Sequence, residues 1–152
     1  MRLFLDTNII IEYIERRSQY GSVRTILDAI HKGVHEGLVS QGSIYTLAYL
    51  TERALKASGV HRPELTERLR QTMAAILQLV EPAGISRAEM LTAIINHDFN
   101  DLEDSLQYQC AQQNRCGTLL TINISDYKDA DRSRMEILTP TAFVEKYMEA
   151  EK

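Results

Sequence analysis

Three short stretches of this chain carry acids where chemistry could be done. Asp6 follows the apolar run Leu3-Phe4-Leu5 and precedes Thr7-Asn8 and the run Ile9-Ile10-Ile11. A strand running into a helix places Asp6 at the strand's carboxyl end, where parallel α/β sheets bind ligands. The second stretch, Asp98-Phe99-Asn100-Asp101-Leu102-Glu103-Asp104, packs four acids into seven positions across a loop and a helix start. The third, Asn123-Ile124-Ser125-Asp126-Tyr127, follows another apolar strand. Loops after neighbouring strands share one edge of such a sheet, so the three stretches can converge. Converging carboxylates repel one another and take up protons at raised pKa unless a cation joins them. Oxygen ligands of this kind suit Mg2+ or Mn2+. Zinc fits less well, because no His/Cys set has its ligand spacing.

Each acid also has a purely structural reading. Asp6 can cap the helix that follows it, since Asp is a favoured N-cap residue. Glu103 lies three residues after Asn100, which is capping-box spacing, and that duty outranks metal binding for it. Asp104, in the first turn, gains from the helix dipole whatever else it does. Asp101 and Asp104 share one helix face, an unfavourable crowding unless solvent or a cation relieves it. Asp98 reads as a solvated loop residue. Asp126 and Asn123 can hydrogen-bond their own turn. The joint position of these residues carries the metal-binding reading.

Five strands and the helices between them must position these groups. Strands are predicted at residues 2–5, 37–40, 79–80, 117–121 and 135–138. Apolar periodicity predicts helices over residues 7–17, 22–32, 43–56 and 64–77, with Pro63 opening the last of these. Ser86 and Glu89 have capping-box spacing and open a helix to Ile95. Two more helices follow, one holding Leu102, Leu106 and Cys110, the other running from Pro140 through Phe143, Val144, Tyr147 and Met148. Short strands alternating with helices predict a parallel sheet covered on both faces. No repeat, low-complexity segment or linker divides the chain, so residues 1–152 read as a single domain.

The bulk properties narrow the function classes. A net charge of −4 gives no basic footprint for a simple nucleic-acid-binding module. It weighs less against a metal-dependent nuclease, whose clustered acids lower the total and whose cations offset it. Arg16, Arg17, Lys56 and Arg62 are scattered and read as solvated surface. Cys110 and Cys116 fit neither zinc nor redox spacing and read as core fillers. The four histidines lack ligand spacing, and only His97 borders an acidic stretch. No nucleophile elbow or glycine-rich phosphate loop is present. No apolar run reaches the roughly 18 residues that span a bilayer, and Asp6 and Asn8 interrupt any signal-peptide pattern. The expectation is a cytoplasmic protein with no membrane partner.

Taken together, these residues resemble the PIN domain family, whose bacterial members include the VapC-type toxic ribonucleases. Leu3-Phe4-Leu5-Asp6-Thr7-Asn8-Ile9 is similar to the family's first motif. Asp101-Leu102-Glu103-Asp104-Ser105-Leu106-Gln107-Tyr108 resembles its third acidic motif, in the branch with an acidic pair there. Thr121-Ile122-Asn123-Ile124-Ser125-Asp126-Tyr127 resembles the last motif, a Thr-x-Asp/Asn-x-x-Asp-Phe pattern with Tyr127 for the aromatic. The resemblance covers the whole chain. It implies a three-layer α/β/α sandwich around a five-stranded parallel sheet, and cleavage of RNA phosphodiesters with Mg2+ or Mn2+. Asp6 and Asp104 would then bind metal with Asp126 completing the site and Asp101 beside it. Thr7, Asn8, Glu103, Thr121 and Asn123 would support them. A homodimer and a small antitoxin partner are implied as well.

One position departs from the pattern. Many members carry a glutamate on the helix after the second strand, in a Ser-x-x-Thr-Leu-Ala-Glu-Leu context. Here Ser43-Ile44-Tyr45-Thr46-Leu47-Ala48-Tyr49-Leu50 puts Tyr49 there. Tyr49 reads as core, and Glu52, three residues on, is the candidate substitute. Asn123 removes a further charge where many members have Asp, and an amide is a weaker metal contact than a carboxylate. The expected function is a metal-dependent ribonuclease of the toxin type. Its rival is a non-catalytic interaction protein that kept the fold.

Overall fold

The computed structural model describes residues 1–149. Strands and helices alternate along the chain: β1 (Arg2–Leu5), α1 (Thr7–Ile14), α2 (Tyr20–His31), β2 (Glu36–Ser40), α3 (Gln41–Ala57), α4 (Glu64–Leu79), β3 (Glu81–Ala83), α5 (Arg87–Ile95), α6 (Leu102–Gln113), β4 (Thr118–Leu120), β5 (Glu136–Leu138) and α7 (Pro140–Tyr147). A single 3-10 turn, Ile124–Tyr127, lies between β4 and β5. The five strands form one sheet in the order β3-β2-β1-β4-β5, and every pairing is parallel.

Side-chain alternation along the strands builds a core on each face. Leu3, Leu5, Val39 and Leu120 turn to one side, where they pack with Ile9, Val23, Ile26, Leu47, Ile76 and Phe143. Those partners come from α1, α2, α3, α4 and α7. Phe4, Leu38 and Leu119 turn to the other side, against Phe99, Tyr108, Ala111 and Tyr127. That second face is covered by α6 and its flanking loops, with α5 tied on where Ser105 Oγ donates to the Ala93 carbonyl at 2.7 Å. Burial on both faces explains why the strands read as short apolar runs.

The strand order places a switch point between β1 and β4, because the chain leaves β1 toward β2 and reaches β4 on the opposite side. Crevices outside the carboxyl ends of strands at such a point are where doubly wound sheets bind ligands. Register makes this concrete. Leu5 pairs with Leu120, so Asp6 and Thr121 emerge level with one another. Phe4 pairs with Leu38, which puts Ser40 on the same rim.

Three expectations are corrected. The third strand is Glu81–Ala83 rather than residues 79–80, because Leu79 continues the α4 stripe of Met73 and Ile76 into the core. Pro82 is accommodated inside the strand since β3 is an edge of the sheet. The first helix stops at Ile14 rather than residue 17, where Arg16 takes the left-handed φ of 48°. The capping box expected from Asn100 and Glu103 is absent: Asp101 is the N-cap of α6, its Oδ1 accepting from the Asp104 backbone N–H at 3.1 Å. Among the described residues no helix is long and apolar enough to cross a membrane.

Candidate metal centre

Asp6 is the most buried acid of the predicted set, with 4% of its surface exposed. Its backbone N–H donates to the Leu120 carbonyl at 3.0 Å, extending the β1–β4 ladder by one residue and fixing the side chain's origin. It precedes α1 but makes no side-chain cap bond there. The capping reading therefore fails, and both carboxylate oxygens turn to other donors. Oδ2 accepts from Thr121 Oγ1 at 2.9 Å, Tyr127 Oη at 3.1 Å and Asn8 Nδ2 at 3.4 Å. Oδ1 accepts from Gln107 Nε2 at 3.3 Å. Burial nevertheless raises the Asp6 pKa above the usual carboxylate value, outweighing the donors from Thr121, Tyr127, Gln107 and the Thr7 backbone.

Asp104 comes to the same place from the first turn of α6. Tyr127 Oη lies 3.5 Å from its Oδ1, at the outer limit of a hydrogen bond, and 3.1 Å from Asp6 Oδ2. The phenol thus sits between the two carboxylates. The Asp104 carboxyl is pushed up to about 7, by burial first and then by the charges of Asp6, Asp101, Asp126 and Glu103. Glu103 is raised as well, through burial and the charges of Asp6 and Asp101. The Tyr127 phenol is raised for the same reasons, with burial first and the two aspartates after it. Asp104 thus feels the charge of Asp6, Asp101, Asp126 and Glu103.

The remaining residues of the predicted set divide clearly. Asn8 Nδ2 also donates to Thr121 Oγ1 at 3.3 Å, while its Oδ1 accepts from the Ile122 N–H at 3.2 Å. Asn123 contributes its backbone N–H to Thr121 Oγ1 at 3.2 Å, and its side chain is exposed. Asp101 and Asp126 are exposed, and with Asp98, Asn100 and Lys128 they line an open cleft of about 470 Å³. Glu52 is taken up by Arg62 at 2.7 Å and Lys56 at 3.7 Å on the α3–α4 surface. Tyr49 is not core: it is 62% exposed, because its helix face looks outward rather than onto the sheet.

A polar chain runs inward from Asp6 that sequence reasoning did not single out. Gln107, 3% exposed, donates from the same Nε2 to Asp6 Oδ1, to Thr7 Oγ1 at 3.0 Å and to Ser43 Oγ at 3.0 Å. Thr7 and Ser43 hydroxyls meet at 2.6 Å. Ser43 in turn meets Ser40 Oγ at 2.8 Å, and Ser40 caps α3 by accepting from the Ser43 N–H. Gln107 lies three residues after Asp104, on the same face of α6; that spacing was the available signal. The two cysteines are inert in comparison. Burial pushes the Cys110 thiol up to about 11 and that of Cys116 to about 12.

The donor set is all oxygen, from two carboxylates in contact with one phenol. Mg2+ is commonly held by only one or two carboxylates, keeping several waters for substrate phosphates. The pair Asp6–Asp104 fits that demand. Among the described residues no group of three or more acid, histidine or cysteine side chains closes around one point, so a fully protein-made cage is not what this site offers.

Comparison with known proteins agrees with this architecture. No curated protein matches the sequence. In structure, the chain is similar to a chain of VapBC2 from Rickettsia felis, solved bound to a DNA fragment from their promoter. That similarity has a TM-score of 0.60 at 19% identity and covers 90% of this chain and 97% of that one. At this identity the likeness speaks for the fold. The family profile described as PIN domain matches residues 2–125, from the first residue of β1 to the turn after β4. With a match over most of its length, the chain belongs to the PIN domain family.

Proposed function

We propose that the chain is a divalent-metal-dependent nuclease that hydrolyses RNA phosphodiester bonds, and that it serves as the toxin of a toxin–antitoxin pair. One observation carries the reading: Asp6 and Asp104, about a hundred residues apart in sequence, meet on the Tyr127 hydroxyl at the sheet's switch point. Two buried or half-buried acids with raised pKa, neither of them ion-paired to a basic side chain among the described residues, are an unfavourable arrangement that a cation relieves.

Asp6 and Asp104 would hold Mg2+ or Mn2+, with Asp126 completing the site and Asp101 adding negative charge at its rim. Once bound, the cation would supply an activated water and stabilise the departing oxygen of the phosphodiester. The protein's own part is orientation. Thr121, Asn8 and Gln107 fix the Asp6 carboxylate, and the α6 N-cap at Asp101 fixes the turn that carries Asp104. The fold's likeness to a chain of the VapBC2 complex supports a small antitoxin as partner. A homodimer in the cytoplasm follows from the same reading.

A second reading has specific support. Where many members have an acid on α3 the chain has the exposed Tyr49, and Asn123 replaces another acid. A protein with this deficit would keep the fold as an interaction module and cut nothing. Incubating purified protein with mixed RNA and Mg2+ or Mn2+ separates the two. The enzyme reading predicts fragments that vanish on chelation and in Asp6→Asn and Asp104→Asn. Identical products from the parent and both variants would reject it.

A further inference from the structure

The hydroxyl of Tyr127 is a feature that the aromatic position alone does not require. The ring does core work: Tyr127 is fully buried and packs edge-on against Phe99, with centroids 5.6 Å apart. A phenylalanine would fill that role. The oxygen instead reaches the space between the two acids, 3.1 Å from Asp6 Oδ2 and 3.5 Å from Asp104 Oδ1. Asp6 is held from three sides besides, by Thr121, Asn8 and Gln107. Asp104 is held less: among the described residues the phenol is the only side chain that hydrogen-bonds its carboxylate.

The geometry points to Tyr127 as a positioning residue of the metal centre, whose hydroxyl holds the Asp6 and Asp104 carboxylates in one arrangement and so sets the affinity for a divalent cation. The inference rests on the proposal that these two aspartates bind metal. A phenol has one proton to give, and the shorter contact assigns it to Asp6 Oδ2. Its oxygen still limits where Asp104 can stand, since the ring is locked in the core by Phe99. Hydrogen-bond partners behind a metal's ligands commonly change affinity by about 10–100-fold when removed. Tyr127 differs from the other donors in facing both ligands at once.

The test is calorimetric titration of Mn2+ into the parent, Tyr127→Phe, Asp6→Asn and the Asp6→Asn/Tyr127→Phe double variant, with thermal melts in chelator as a control. Tyr127→Phe keeps the ring, and the inference predicts a cooperative melt with Mn2+ affinity weakened about 10-fold. In the Asp6→Asn background the same substitution should change affinity by less than about twofold, because one of the two groups it holds is gone. Parent-like affinity in Tyr127→Phe overturns the inference and leaves the metal-site proposal standing. So does a lowered melting temperature with unchanged affinity, which would assign the hydroxyl to the core alone. A parent that binds no Mn2+ overturns the metal-site proposal itself, and the inference with it.

Discussion

Thr121 donates its hydroxyl to Oδ2 of Asp6 across 2.9 Å, joining the residues that emerge from the carboxyl ends of two adjacent parallel strands. Both residues are buried, and Thr121 Oγ1 also accepts from the Asn8 amide and the Asn123 N–H. One hydroxyl therefore organises three sides of the rim. Thr121→Val keeps the shape and removes these bonds. We expect a stability loss of about 1–3 kcal/mol, the range for leaving buried polar partners unsatisfied, and metal binding weakened by about 10-fold. Chemical denaturation and Mn2+ titration measure the two effects.

Gln107 should matter for a different reason. Its amide serves Asp6, Thr7 and Ser43 together, so it links α6 to the β1–α1 and β2–α3 junctions. Gln107→Leu leaves the hydroxyls of Thr7 and Ser43 still paired with each other but strips Oδ1 of Asp6 of its donor. The expected result is about 1–3 kcal/mol of destabilisation together with a drop in cleavage rate. Gln107→Leu with parent-like stability would contradict the bonding described here.

The raised pKa of Asp104 makes stability depend on pH in a defined direction. The folded protein binds this proton at about 7, whereas the unfolded chain binds it at the ordinary value of 3.8. Between these values the folded state holds more protons, so its stability falls as pH rises. The contribution is complete below the unfolded pKa and is lost as pH climbs through about 7. Without metal, the melting temperature should therefore rise as pH is lowered from 8 toward 5. Asp104→Asn should flatten this trend and raise the melting temperature at pH 8. Divalent cation should stabilise the parent most at pH 8, where the carboxyl is ionised.

Asp101 can be separated into cap and charge. Its Oδ1 receives the Asp104 N–H, a bond that Asn or Ser can also make. Asp101→Asn should keep stability within about 0.5 kcal/mol of the parent, while Asp101→Ala should cost about 1 kcal/mol. If Asp101 contributes charge to the cation, both substitutions weaken Mn2+ binding; if it is a cap alone, only Asp101→Ala does.

Periodicity and composition disclosed the architecture well, because a sheet buried on both faces leaves apolar runs that stand out between amphipathic helices. The strand-end position of Asp6 and its convergence with Asp104 were legible for the same reason. What escaped was set by direction rather than type. Gln107 looked like an ordinary helix residue, and only packing of α6 on the sheet aims its amide at Asp6. Tyr49 reads as core from the apolar helix that carries it, yet it points to solvent. Asn100 and Glu103 have capping-box spacing, but the backbone begins α6 a residue later, with Asp101 as its cap. The short third strand was hidden by Pro82, which an edge position tolerates.

The central claim is that Asp6 and Asp104 form one cation site. A crystal soaked in MnCl2 and measured at a wavelength where manganese scatters anomalously tests it without any assay for substrate. The account predicts a peak within coordination distance, about 2.1 Å, of both carboxylates, and a peak of clearly reduced height there in Asp6→Asn. Manganese ordered elsewhere, or touching neither side chain at saturating concentration, would contradict it.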